Sequence, residues 1–166
     1  MEKVRVYQKW WIRQTKGVEM YIPKYFKITE LVNPILLNKI GTETAWKLFD
    51  ENLLKAADKI REKYGIMFIN KGELRDCGLR DWTSSTGAKY SAHKFGRALD
   101  GHILAIEKTA KTQIEKIKMY NKVRAELMID PTFDCLNFED SSMAYPTGLP
   151  WLHFDTFNRP KRSFKG

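Results

Sequence analysis

The stretch SAHKFGRALDGHI, residues 91 to 103, carries a glycine at its centre and a strict alternation after it, which argues against one continuous helix. The run from Ala98 to Ile103 has period two, so it reads as a strand fed by a loop. On that strand Ala98, Asp100 and His102 point to one face, and Leu99 and Ile103 to the other. His93 then comes from the loop and Asp100 from the strand, and the two converge on one point. Either they share a buried hydrogen bond or they bind a metal.

The rest of the chain predicts the frame around that strand. In KYFKITELVNP, Thr29 can cap a short helix that Pro34 limits. From Glu43 to Tyr64, Trp46, Phe49, Leu53, Ala56, Ala57, Ile60 and Tyr64 recur at three- and four-residue spacing, which predicts one amphipathic helix ended by Gly65. IMFIN reads as a short buried strand, followed by a long polar loop from Lys71 to Tyr90. A second helix is predicted over Glu107 to Met128, with Ile114, Ile117, Tyr120, Arg124 and Leu127 on one face and Asp130-Pro131 closing it. FDCLNFE and WLHFDTF read as two further strands. Helices followed by strands, with little regular alternation, favour an α+β fold: a small, mainly antiparallel sheet packed against two or more helices. Residues 1–22 read as an extended N-terminal arm or edge extension, and 23–166 as the main domain.

The length of 166 residues and a hydrophobic content of 43% suit one such domain with a proper core. No apolar run approaches the roughly 20 residues of a membrane helix, and MEKVRVYQKWWIRQ lacks a signal-peptide core, so a protein made in the cytoplasm is expected. A monomer is the expectation. Cys77 and Cys135 fit no zinc-ligand spacing, and reduced thiols are expected of them. The net charge of +9 calls for an anionic partner, and nucleic acid, membrane surface and cell wall all qualify. Lysines interleaved with aromatics in VYQKWWIRQ suggest single-stranded nucleic acid, but no nucleic-acid motif accompanies them, and that partner ranks last.

Three histidines are present, His93, His102 and His153. On WLHFD, Trp151, His153 and Asp155 share a face, opposite Leu152 and Phe154. His93, Asp100 and His153 thus make a two-histidine, one-carboxylate set, and three protein ligands with an open fourth position are what a catalytic zinc site requires. A satisfied polar core is the alternative reading of the same three residues.

SAHKFGRALD resembles the Ser-x-His-x-x-Gly-x-Ala-x-Asp motif of the zinc D-alanyl-D-alanine carboxypeptidase and L-alanyl-D-glutamate endopeptidase family, which includes phage endolysins and vancomycin-resistance dipeptidases. YFKITELVNP, LLKAADKIREKYG, IMFIN, GLRD and WLHFD are similar, in order, to further landmarks of that family, over about residues 25 to 157. The resemblance implies that His93, Asp100 and His153 hold zinc at the sheet. It also implies that Ser91 supports the first ligand loop, and that Gly96 and Ala98 permit its tight packing. Arg80 in GLRD matches the family arginine that holds a substrate carboxylate or polarises the scissile carbonyl, a task suited to a planar guanidinium. His102 would line the pocket or support a ligand, with a plain structural role preferred.

One departure concerns the general base. Many members carry an acidic residue three positions before the last histidine ligand, where it takes a proton from the attacking water and passes it to the leaving amine. Here that position is Pro150. Glu139 in NFED resembles the base of the family's other branch, with Asp155 and Asp140 as rivals.

The activity so implied is hydrolysis of an amide in the peptide stem of bacterial peptidoglycan, as a D,D-carboxypeptidase or an L-Ala-D-Glu endopeptidase. A basic protein suits the anionic wall. Lack of a signal segment points to a phage or prophage setting, in the host cytoplasm or the virion, with cell-wall degradation as the outcome. The alternative is a zinc-containing wall-peptide-binding or phage assembly component with little turnover.

Overall fold

The computed structural model describes residues 20–69, 76–139 and 148–159, together with the backbone of a strand at Ser163–Phe164. The expected N-terminal arm lies outside the described residues except for residues 20 to 22. The helices are α1 (Ile28–Leu31), α2 (Pro34–Ile40), α3 (Thr42–Leu48), α4 (Glu51–Tyr64), α5 (Leu104–Thr109) and α6 (Gln113–Ile129). The strands are β1 (Met67–Phe68), β2 (Ala98–Ile103), β3 (Asn137–Glu139), β4 (Leu152–Asp155) and β5 (Ser163–Phe164).

These strands form one sheet in the order β1-β2-β4-β3-β5, antiparallel except for the β3–β5 pair. The fold is α+β, with helices packed on a small, mainly antiparallel sheet. Leu99 and Ile103 of β2, Leu152 and Phe154 of β4 and Phe138 of β3 lie within the buried core cluster. α4 packs against β2 and α6 against β4. Each fully buried Leu or Phe on this face contributes about 1.5–3 kcal/mol. The opposite residues of the same strands are therefore left to form a polar face, and the site is there.

Both long predicted helices are broken, each for a local reason. Trp46, Phe49, Leu53, Ala56, Ala57 and Ile60 are all buried, so the periodicity identified the correct face. The chain leaves the helix at Phe49, which is extended, and Asp50 caps α4 by accepting a hydrogen bond from the Leu53 amide at 3.1 Å. The Asp50 amide freed by this break donates to the Gly96 carbonyl at 2.9 Å, tying the interruption to the histidine loop. The segment predicted from Glu107 divides into α5 and α6 at residues 110 to 112. Thr112 accepts from the Glu115 amide at 3.2 Å while the Glu115 carboxylate accepts from the Thr112 amide at 3.3 Å. That reciprocal cap is written in the sequence as Thr-Gln-Ile-Glu. Ile114, placed on the core face by its spacing, is 56% exposed because α6 begins only one residue before it.

Thr29 is not a cap but lies inside α1, whose first turn is held by the Lys27 amide donating to Glu30 at 2.8 Å. Pro34 opens α2 rather than limiting α1, with Asn33 accepting from the Leu36 amide at 2.8 Å. FDCLNFE is extended only over Asn137–Glu139, because Pro131–Phe133 forms a 3-10 turn. No described helix is long and apolar enough to cross a membrane, and Cys77 and Cys135 are not joined in a disulfide.

Candidate metal centre

Three adjacent strands place three side chains in a row on the polar face. In the β2–β4 ladder Asp100 is paired directly with His153, and in the β3–β4 ladder Phe138 is paired with Phe154, which sets Glu139 beside His153. The distances follow this register: His153 Nδ1 lies 2.7 Å from Asp100 Oδ1 and 3.9 Å from Glu139 Oε2. His93 arrives from above, on the 3-10 turn Ala92–Phe95 that precedes β2. Its Nε2 is 3.4 Å from Asp100 Oδ2.

The turn can approach so closely because of Gly96. Its φ is +66°, and a Cβ there would stand 2.0 Å from the Leu48 carbonyl oxygen. Ala98, fully buried at the start of β2, keeps the next position small.

One donor atom from each of His93, Asp100 and His153 falls within 4.8 Å of the others, and together they form a candidate metal-binding site. The surrounding hydrogen bonds aim the correct atoms inward. His93 Nδ1 lies 3.0 Å from the Gly78 carbonyl, to which it donates, so its Nε2 lone pair faces Asp100. His153 Nε2 lies 3.5 Å from Asp155 Oδ2, which leaves Nδ1 toward Asp100 and Glu139. Two imidazoles and a carboxylate, each fixed by an outer partner, are a donor set that suits zinc.

The charges of the three residues are interdependent. Burial pushes His93 down, more than neighbouring Asp100 raises it. Burial alone would raise the Asp100 carboxyl, but the two imidazoles beside it and their hydrogen bonds hold it well below the usual carboxylate range. Burial also works against a charge on His153, yet Asp100, Asp155 and Glu139 outweigh it and bring that imidazole up to about 9. In the absence of a metal, the row is thus a carboxylate held by one protonated histidine.

The trio stands at a cavity of about 510 Å³, within the range of small-molecule sites. Arg80, 9% exposed, lines it and places one guanidinium nitrogen 3.2 Å from Asp100 Oδ2. Its Nε donates to the Asp76 carbonyl, and its amide donates to the His93 carbonyl at 3.2 Å, so arginine and ligand turn are held together. Ser91 and Trp151 line the same cavity, as does Glu139. Arg124 of α6 donates to the carbonyls of Leu149 and Trp151, fixing the chain just before β4.

Two other sequence candidates, His102 and Asp155, do not line the cavity, although Asp155 stands behind His153. The Nδ1 of His102 is 3.6 Å from Glu107 and its ring centroid 6.4 Å from that of Trp151. Asp155 is fully buried and accepts from Asn137 at 3.0 Å, from the Phe157 amide at 3.0 Å and from Arg159 at 2.8 Å. Asp140 lies outside the described residues. Sequence reasoning missed Arg159 and Asn137, the partners of Asp155, since neither has a periodic or motif signal. It also missed the Gly78 carbonyl, because a backbone acceptor has no residue-type signature.

The chain matches no known protein-family model, curated protein or solved structure.

Proposed function

We propose that the protein is a zinc-dependent peptidase that hydrolyses an amide bond in the peptide stem of bacterial peptidoglycan. The observation that carries this reading is the His93, Asp100 and His153 donor set within 4.8 Å, at a cavity that Glu139 and Arg80 also line. His93, Asp100 and His153 would hold the zinc ion, which would supply Lewis-acid chemistry and make hydroxide available near neutral pH. His93 and His153 serve as neutral donors, their outer nitrogens turned to Gly78 and Asp155.

Glu139 is the general base in this reading. It lines the cavity and lies 3.9 Å from His153, whereas Asp155 has its oxygens committed to Asn137, Phe157 and Arg159. The Glu139 carboxylate accepts the proton of the attacking water and returns it to the leaving amine. Arg80 directs its guanidinium to a substrate carboxylate or to the oxygen on which charge develops. Ser91, Ala92 and Trp151 shape the wall against which the peptide lies.

A second reading is favoured by Pro150, which occupies the place where many members of the resembling family carry their acid. The domain then binds wall peptide, or serves in assembly, with little turnover. The deciding experiment is mass spectrometry of fragments released from purified peptidoglycan, with zinc, with chelator, and with His153→Ala. Zinc-dependent new termini that the variant does not produce are expected and identify the bond; zinc bound without cleavage on several wall types supports the binding reading instead.

A further inference from the structure

Arg80 walls a second cavity, of about 220 Å³, that none of the three metal donors lines. Its apolar surface includes Leu36 of α2, Leu79 and Trp82. Its charged surface is unbalanced. Lys39 is paired with Asp81 at 3.2 Å and Arg80 with Asp100 at 3.2 Å, but Lys94 has no such partner. Lys94 is only 7% exposed, and its ammonium donates to the Ser84 carbonyl at 2.9 Å; among the described residues it makes no ion pair with a carboxylate.

A buried ammonium has three donors and a full charge, and one neutral carbonyl satisfies neither. Buried charges are normally compensated by an opposite charge. Here the space for one adjoins it, and the rest of the wall joins the hydrocarbon of Leu36, Leu79 and Trp82 to charged side chains that are already paired, Lys39 with Asp81 and Arg80 with Asp100. The volume is below the roughly 300–1,000 Å³ of drug-sized sites, which restricts the occupant to a small molecule or one residue of a chain.

We propose that this cavity binds a monocarboxylate with a compact apolar body, its carboxylate paired with Lys94 and its hydrocarbon against Leu36, Leu79 and Trp82. The group is either a free short acid or the carboxyl-terminal residue of a peptide. Inorganic phosphate, which has no apolar part, is disfavoured by the same wall. The site stands whether or not the neighbouring centre holds zinc, because the two cavities share only Arg80.

The test is a titration of the full chain, zinc-loaded and zinc-free, with 4-methylpentanoate, its amide, acetyl-Ala-Leu and inorganic phosphate, followed by amide chemical shifts. Saturable binding of the acid is expected, with shifts at Leu36, Leu79, Trp82 and Lys94, and the amide should bind about tenfold more weakly or worse. Lys94→Met should lower affinity for the acid by a similar factor and leave zinc stoichiometry unchanged; Lys94→Gln replaces it if that variant does not fold. Tighter binding of acetyl-Ala-Leu assigns the site to a peptide end, and tighter binding of the free acid to a small metabolite. Equal affinity for acid and amide, equal affinity for phosphate, an unaffected Lys94 variant, or no binding of either carboxylate overturns the proposal. None of these readouts uses peptidase activity, so failure of the peptidase reading leaves the result interpretable.

Discussion

Asp100 and His153 are direct cross-strand partners, and their side chains meet at 2.7 Å between Asp100 Oδ1 and His153 Nδ1. They are 53 residues apart in the chain, so the pairing of β2 with β4 creates the site. A slip of that register by one residue would turn His153 into the core and Phe154 out of it.

The donor set predicts about one zinc per chain after reconstitution, read by elemental analysis. His93→Ala and His153→Ala should each abolish stoichiometric binding. Zinc at about 1,000 times its Kd should stabilise the fold by about 4 kcal/mol, visible as a raised Tm. A metal content near zero in the reconstituted parent protein would remove the site.

Zinc affinity should depend on pH with a definite sign. His153 is raised to about 9 in the metal-free protein, so binding near neutrality displaces one proton from it. Affinity should therefore rise about tenfold per pH unit up to about 9 and level off above it. The same shift gives the metal-free fold a stability contribution that is complete below the ordinary value of 6.5 and is lost as pH rises through about 9. Zinc titrations at several pH values test this; a flat profile would mean that His153 is already neutral.

Glu139→Gln should keep zinc and reduce turnover by about 10²–10⁴, the usual contribution of a general base. Glu139 lies beside His153 but outside the compact donor trio, which is why the metal should remain. Unchanged turnover on peptidoglycan fragments would transfer the role to another carboxylate.

Gly96→Ala should destabilise the fold by about 1–3 kcal/mol from backbone strain alone, with the contact to Leu48 adding to it. The residue has φ +66°, and its Cβ would meet the Leu48 carbonyl at 2.0 Å. Because the turn carries His93, zinc affinity should fall together with the denaturation midpoint. A variant with parent stability and parent affinity would show that the turn can move away.

Elements whose causes are local were legible in the residues themselves. Period two defined β2, the spacing of Trp46, Phe49, Leu53 and Ile60 defined the buried face, and Gly65 marked the end of α4. His93, Asp100 and His153 were legible as a possible ligand set because few histidines are present and strand alternation assigns each a face. Whatever depends on a partner distant in the chain emerged only with the folded sheet. The break at Phe49 is stabilised by the Gly96 carbonyl, the aim of His93 by that of Gly78, and the orientation of His153 by an Asp155 that Asn137 and Arg159 hold in place. Periodicity records which side of an element is apolar, but hydrogen bonds between backbone and remote side chains leave no period, and only the assembled sheet brings their two ends together.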